Sequence, residues 1–248
     1  MEPCGLSPVR PNPDTIESLL VSCTHTDHPL AAQLRQFITD AQFPCVGAKA
    51  ALAKGRIVPV MARSITSAWD DLAIHHALME FVGEVQQDPR LFQSFAVIFE
   101  GPHTLDEEQF EKHMWQRLQS MSDKDRWLGQ PYSRQANPDP SDPHFALSYA
   151  GEAFFVVGLH PHASRQARRF ATPTLIFNTR AQFDQLRAEG RYEKMHSTII
   201  ERDLKLSGSI NPMLARHGET SEARQYSGRA VDENWECAFR YTGLRDAT

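Results

Sequence analysis

The chain has 248 residues, 41% of them hydrophobic and 23% charged, with a formal net charge of −5 at pH 7. That length supports one sizeable core and the composition is globular, so wholesale disorder is excluded. The acidic balance gives no reason to expect a nucleic-acid partner, and no apolar run approaches the roughly 18 residues of a membrane span.

Residues 1–30 are rich in Pro, Ser, Thr and His without a sustained period, and are expected to form a flexible arm ahead of a single domain over 31–248. A first helix is predicted over Leu30 to Thr39, before Phe43-Pro-Cys45, with a short helix or turn to Ala53. Residues 56–61 form a β-like run, and Pro59, which has no amide donor, assigns that strand to a sheet edge. The next helix is predicted from Ser67, with Ile74, Leu78, Phe81 and Val85 on one face. Residues 94–100 form a short apolar run bounded by Pro89 and Gly101-Pro102, which reads as a buried strand.

Thr104 and Glu107 stand three apart as a capping box for a helix carrying Phe110, Met114, Leu118 and Met121. A polar, proline-rich loop follows over 129–143. Residues 144–149 and 153–159 flank Ala150-Gly-Glu152 as a hairpin. A strand is predicted over 172–177, a helix capped at Thr179 and stopping at Gly190, and a further helix with Tyr192, Met195, Ile199 and Leu206, stopping at Gly208. Residues 207–229 carry neither period, and a stretch of that length is expected to be a functional loop. The fold class expected is α/β or α+β, a mixed or antiparallel sheet with flanking helices.

The start of the chain lacks the basic and apolar stretches of a secretory signal, so a cytoplasmic location is expected. Cys4, Cys23, Cys45 and Cys237 form no C-x-x-C pair or zinc spacing, and free thiols are expected. Phosphate-loop, dinucleotide, nucleophile-elbow and H-E-x-x-H motifs are absent.

Three segments carry candidate chemistry. In the first, a strand ends at Leu159 and is followed by His160, His162, Arg165, Arg168 and Arg169. A neutral imidazole ligates a metal or haem iron, and guanidinium groups pair with carboxylates, so one His with three Arg suits an iron carrying two propionates. The other reading is a His–Pro turn followed by a solvated basic helix. The second segment offers His217, Glu219, Glu222, Arg224 and Tyr226 as a proton relay or polar-substrate loop, against a surface loop held by its own ion pairs. The third is Cys45, a ligand or nucleophile candidate without a local His or Cys partner, where a small buried thiol is the commoner case. His75 and His76, beside the Leu78 face, are expected to be partly buried or surface histidines.

Phe43-Pro-Cys45, the run from Phe154 through Gly-Leu-His-Pro to Phe170, Gly190-Arg-Tyr, Asn211-Pro-Met-Leu214, His217-Gly and the run from Ser221 to Arg229 together resemble the YqcI/YcgG family, in order, from about residue 40 to 240. The family pattern carries Cys-Pro-Phe near the C-terminus where this chain has Cys237-Ala-Phe239, which removes a rigid turn but no reactive group. The resemblance implies a monooxygenase that uses haem b to N-hydroxylate a guanidine or amine, arginine-like, with O2 or peroxide and an unidentified reductant. It leaves open a haem carrier or sensor without turnover, or a non-haem interaction domain docking through the basic 165–169 segment. On this reading His160 is the metal ligand, and Arg165, Arg168, Arg169 and Arg224 are cofactor-binding residues. Cys45, His217 and Glu222 serve the catalytic pocket, Glu222 or Glu219 receiving the guanidinium. No nucleic-acid or membrane partner is implied; a homodimer is left open.

Overall fold

The computed structural model describes residues 27–213 and 220–241. Nearly all of the expected arm, the candidates His217 and Glu219, and the cysteines Cys4 and Cys23 therefore lie outside the described residues.

The elements run α1 (Pro29–Thr39), α2 (Val46–Ala53), β1 (Ile57–Ser64), α3 (Asp71–Gln87), β2 (Ser94–Gly101), α4 (Glu107–Trp127), β3 (Leu147–Tyr149), β4 (Glu152–Leu159), β5 (Thr174–Thr179), α5 (Arg180–Ala188), α6 (Tyr192–Ser207) and α7 (Ala223–Tyr226). The five strands form one mixed sheet in the order β1-β2-β5-β4-β3. β1 and β2 are parallel and joined through α3; the remaining pairs are antiparallel. The mixed α/β class is as expected. β1 is an edge strand, where the missing amide of Pro59, opposite Ala96, is tolerated.

β2 is buried along Ser94–Phe99 because helices cover both faces. Its alternation divides the core. Phe95, Val97 and Phe99 point into the larger cluster with α3 and α4, and Ala96 and Ile98 into a smaller one with Ala31, Leu34 and Ile38 of α1. Fully buried aromatic side chains such as Phe154 and Phe177 fill the larger cluster, each contributing about 1.5–3 kcal/mol by leaving water.

Between α3 and α4 lies a polar seam. His75 Nε2 is 2.7 Å from Asp125 Oδ1, and Arg117 donates to Asp71 at 3.1 Å. His75 is 1% exposed, so it is a fully buried residue rather than a partly exposed one.

Several boundaries differ from expectation. α3 starts at Asp71, not Ser67, because the Asp70 carboxylate is taken by the backbone and side chain of Arg63. α4 is capped by a reciprocal Asp106–Gln109 box rather than by Thr104 and Glu107, which frees Glu107 for another partner. The expected basic helix after β4 is one turn of 3₁₀ helix, Gln166–Arg168. Thr179 occupies the N-cap position of α5 without a side-chain cap bond. The expected loop 207–229 contains α7, whose Tyr226 is fully buried and whose hydroxyl donates to Phe154 O at 3.0 Å.

Candidate functional site

Strand β4 carries Gly158 and, just past its end, His160 to the α4 side of the sheet. The His160 peptide N–H donates to Arg168 O at 3.1 Å and the residue bridges to Arg169, so the loop closes back on the strand. The imidazole is 1% exposed and stacks on the Phe110 ring, with centroids 4.3 Å apart and planes 16° apart. Burial pushes its pKa down to about 4; the Glu107 carboxylate works against this, and His162 and Arg168 reinforce it. His160 is thus neutral at pH 7, the form that binds metals. Its Nδ1 is buried and has no hydrogen-bond partner. Buried polar atoms are rarely left unpaired, and among the described residues His75 Nδ1 and Arg165 Nε share this state.

Arg168 lies beside it. Its guanidinium donates to Gly158 O at 3.0 Å, Tyr226 O at 3.2 Å and Gln225 O at 3.1 Å. These are neutral acceptors; among the described residues no carboxylate pairs with it. Burial lowers its pKa to about 10, with the Cys45 thiol and Asp203 acting the other way, so it keeps its charge at neutral pH. Gly228 adopts φ +85°, and a Cβ there would stand 3.2 Å from Arg168 Cγ, so the glycine makes room for the arginine stem.

The other arginines have protein partners. Arg165 pairs with Asp203 of α6 and also reaches Ser209. Arg169 donates to Ala163 O at 3.0 Å and Ser164 O at 3.3 Å. Arg224 donates to the Asp232 carbonyl and lies over the Trp235 ring.

Cys45 is the N-cap of α2, its sulfur accepting from the Ala48 N–H at 3.4 Å. Burial raises its pKa, so the thiol stays protonated. It opens a helix whose Ala48 and Leu52 pack on the smaller cluster, whereas His160 stacks on a residue of the larger one. The structure therefore sets Cys45 at the start of a helix that packs on the smaller cluster, with Arg168 as the charge that acts on both it and His160. Glu222 immediately precedes α7, and its charge acts on Tyr192 and Tyr226.

Sequence reasoning passed over Glu111 and Asp203 and read Glu107 only as a helix cap. Glu107 accepts from the Ser164 N–H at 2.9 Å and hydroxyl at 2.8 Å, tying the start of α4 to the loop beyond His160. Glu111 accepts from Ser227 at 2.6 Å, Arg229 at 2.7 Å and the Trp235 indole at 2.9 Å. Burial raises its pKa, but these donors outweigh it and hold the carboxyl below the ordinary value. These partners lie far apart in the chain, and no local pattern marks them.

A cleft of about 400 Å³ opens between α1, the segment before α2 and the turn after β4. Phe37, Phe43 and Phe170 line it with Gln33, Asp40 and Gln166. That size falls within the range of ligand pockets. It shares the Gln166–Ala171 segment with the loop of His160, but His160 itself does not line it.

The residues fit haem in donor chemistry: a neutral imidazole with an unpaired nitrogen, and beside it a guanidinium without a carboxylate. Among the described residues no cluster of three His, Cys, Asp or Glu side chains forms a metal cage, and no helix is long and apolar enough to cross a membrane. No curated protein and no solved structure matches the chain. The YqcI/YcgG family model matches residues 34–240, the stretch that holds the sheet, the His160 loop and the Glu111-anchored C-terminal segment, and the chain belongs to that family.

Proposed function

We propose that this protein is a haem-dependent monooxygenase that hydroxylates a nitrogen of a guanidine or amine substrate, with His160 as the iron ligand. The observation that carries the reading is the buried, neutral His160 whose Nδ1 has no partner. Bound haem supplies the activation of O2 or peroxide; the protein supplies binding, orientation and exclusion of water. His160 offers a lone pair at neutral pH, because burial disfavours its proton. Arg168 offers a fixed positive charge for a propionate, a charge–charge pairing that would replace its carbonyl contacts. Arg165 is the next candidate, at the expense of its pairing with Asp203. Since His160 is 1% exposed, ligation requires the cover over its unpaired nitrogen to open while the ring stays stacked on Phe110.

Cys45 already spends its sulfur as the acceptor that caps α2, which favours imidazole over thiolate ligation. The docking-face alternative is weakened, because Arg165 and Arg168 are committed to partners in their own chain and only Arg169 is exposed. A carrier or sensor would share the spectrum but give no product.

The test is incubation of haem-loaded protein with a panel of guanidines and amines, a reductant and O2, or peroxide alone, followed by mass spectrometry. A gain of one oxygen that disappears in His160→Ala is the expected result. Haem uptake without product on any substrate would favour the carrier.

A further inference from the structure

The stacking of His160 on Phe110 joins residues fifty positions apart, and its cause lies in the strand. A Cβ at Gly158 would stand 2.7 Å from Phe110 Cε1, 3.0 Å from its Cζ and 3.0 Å from Tyr226 O. Among the described glycines none is more tightly enclosed. The bare backbone at Gly158 lets the Phe110 ring lie against β4, and two residues on the His160 ring lies on Phe110.

A second link closes the circuit. Glu107, one turn before Phe110 on α4, holds the Ser164 N–H and hydroxyl four residues beyond His160. The first turn of α4 is in turn fixed by the Asp106–Gln109 capping box. The backbone around His160 and the plate beneath its ring are therefore set by the same turn of helix. The Nδ1 atom has no hydrogen bond to hold the ring, so the stacking contact is what restrains rotation about the Cβ–Cγ bond.

We infer that Phe110 is the positioning residue of His160: its ring, admitted by Gly158 and anchored through Glu107, fixes the imidazole plane and with it the direction of the unpaired nitrogen. The functional meaning rests on His160 as the working residue; the geometry does not depend on haem. A pre-set ring plane is what a ligating site needs to bind without reorganising.

The experiment is ¹³C relaxation of the His160 ring C–H groups in protein without added haem, in wild type, Phe110→Leu, Phe110→Met and Met114→Leu. Leu and Met keep an apolar side chain but remove the plate, and Met114 is an equally buried neighbour one turn on. Wild type and Met114→Leu should give ring order parameters near the rigid value of about 0.85, and the Phe110 variants values below about 0.6, with backbone amide spectra that remain folded. Phe110→Met is the fallback should Phe110→Leu fail to fold. A folded Phe110 variant with a wild-type ring order, or a wild-type ring already below about 0.6, would overturn the inference. Equal loosening in Met114→Leu would also overturn it, by reducing Phe110 to general packing. Failure of the wild type to take up haem with its ring ordered would overturn the proposed function and leave this inference standing.

Discussion

Two helices border the His160 loop, and they are held in opposite ways. α4 buries Phe110, Met114, Trp115, Leu118 and Met121 against the sheet. α6 runs for 16 residues and buries only Asp203, a carboxylate paired with Arg165. Its neighbour Arg202 reaches across to the carbonyls of Ala41 at 2.7 Å and Phe43 at 3.0 Å. Apolar burial is non-directional and tolerates small shifts, whereas charge-assisted hydrogen bonds are directional and are lost when either partner moves. The difference teaches that His160 stands on the rigid side, and that the segments around Cys45 and Arg165 are pinned from a side that polar contacts can release. Access to the loop is expected through the α6 side.

The largest effect should come from the rigid side. Phe154→Ala removes a fully buried ring from the larger cluster and should cost about 3–5 kcal/mol, read from urea unfolding.

Acid should act next. The folded pKa of His160 is about 4 against an ordinary 6.5, so the unfolded chain takes the proton first. The contribution is complete above pH 6.5 and is lost as pH falls towards 4, amounting to roughly 3 kcal/mol. In the apoprotein, unfolding midpoints measured across that window should fall in wild type and flatten in His160→Phe; parallel curves would assign the acid sensitivity elsewhere.

On the polar side, Asp203→Asn weakens the tie to Arg165 and should cost about 1.5–3 kcal/mol. Its signature is local: amide exchange should quicken in α6 and stay unchanged in α4. Uniform acceleration in both helices would erase the distinction between them. The smallest effect is expected from Arg90→Ala, whose exposed pairing with Asp88 should leave the unfolding midpoint unmoved.

Much of the frame was legible because it obeys short-range rules. Pro59 placed an edge, the run 94–100 placed a strand covered on both faces, and Ala150-Gly151 placed the hairpin turn. The capping error at α4 has a physical cause. Thr104-Leu-Asp106-Glu107-Glu-Gln109 offers two overlapping boxes, and the one adopted leaves Glu107 to bind Ser164, a partner no local pattern reveals. The site divides in the same way. His160 at the end of a strand was visible, and so was the basic run behind it. That Arg168 turns inward to three carbonyls, that Arg165 pairs with Asp203, and that Phe110 lies under the imidazole are consequences of tertiary packing.

The measurement that tests the central claim most directly is a haem titration of wild type, His160→Ala and Cys45→Ser, followed by visible absorption. Wild type and Cys45→Ser should develop the same saturable Soret band, and His160→Ala should lose it or bind haem with altered ligand-field bands. A His160→Ala protein with the full wild-type spectrum, or a wild-type protein that never takes up haem, would contradict the account.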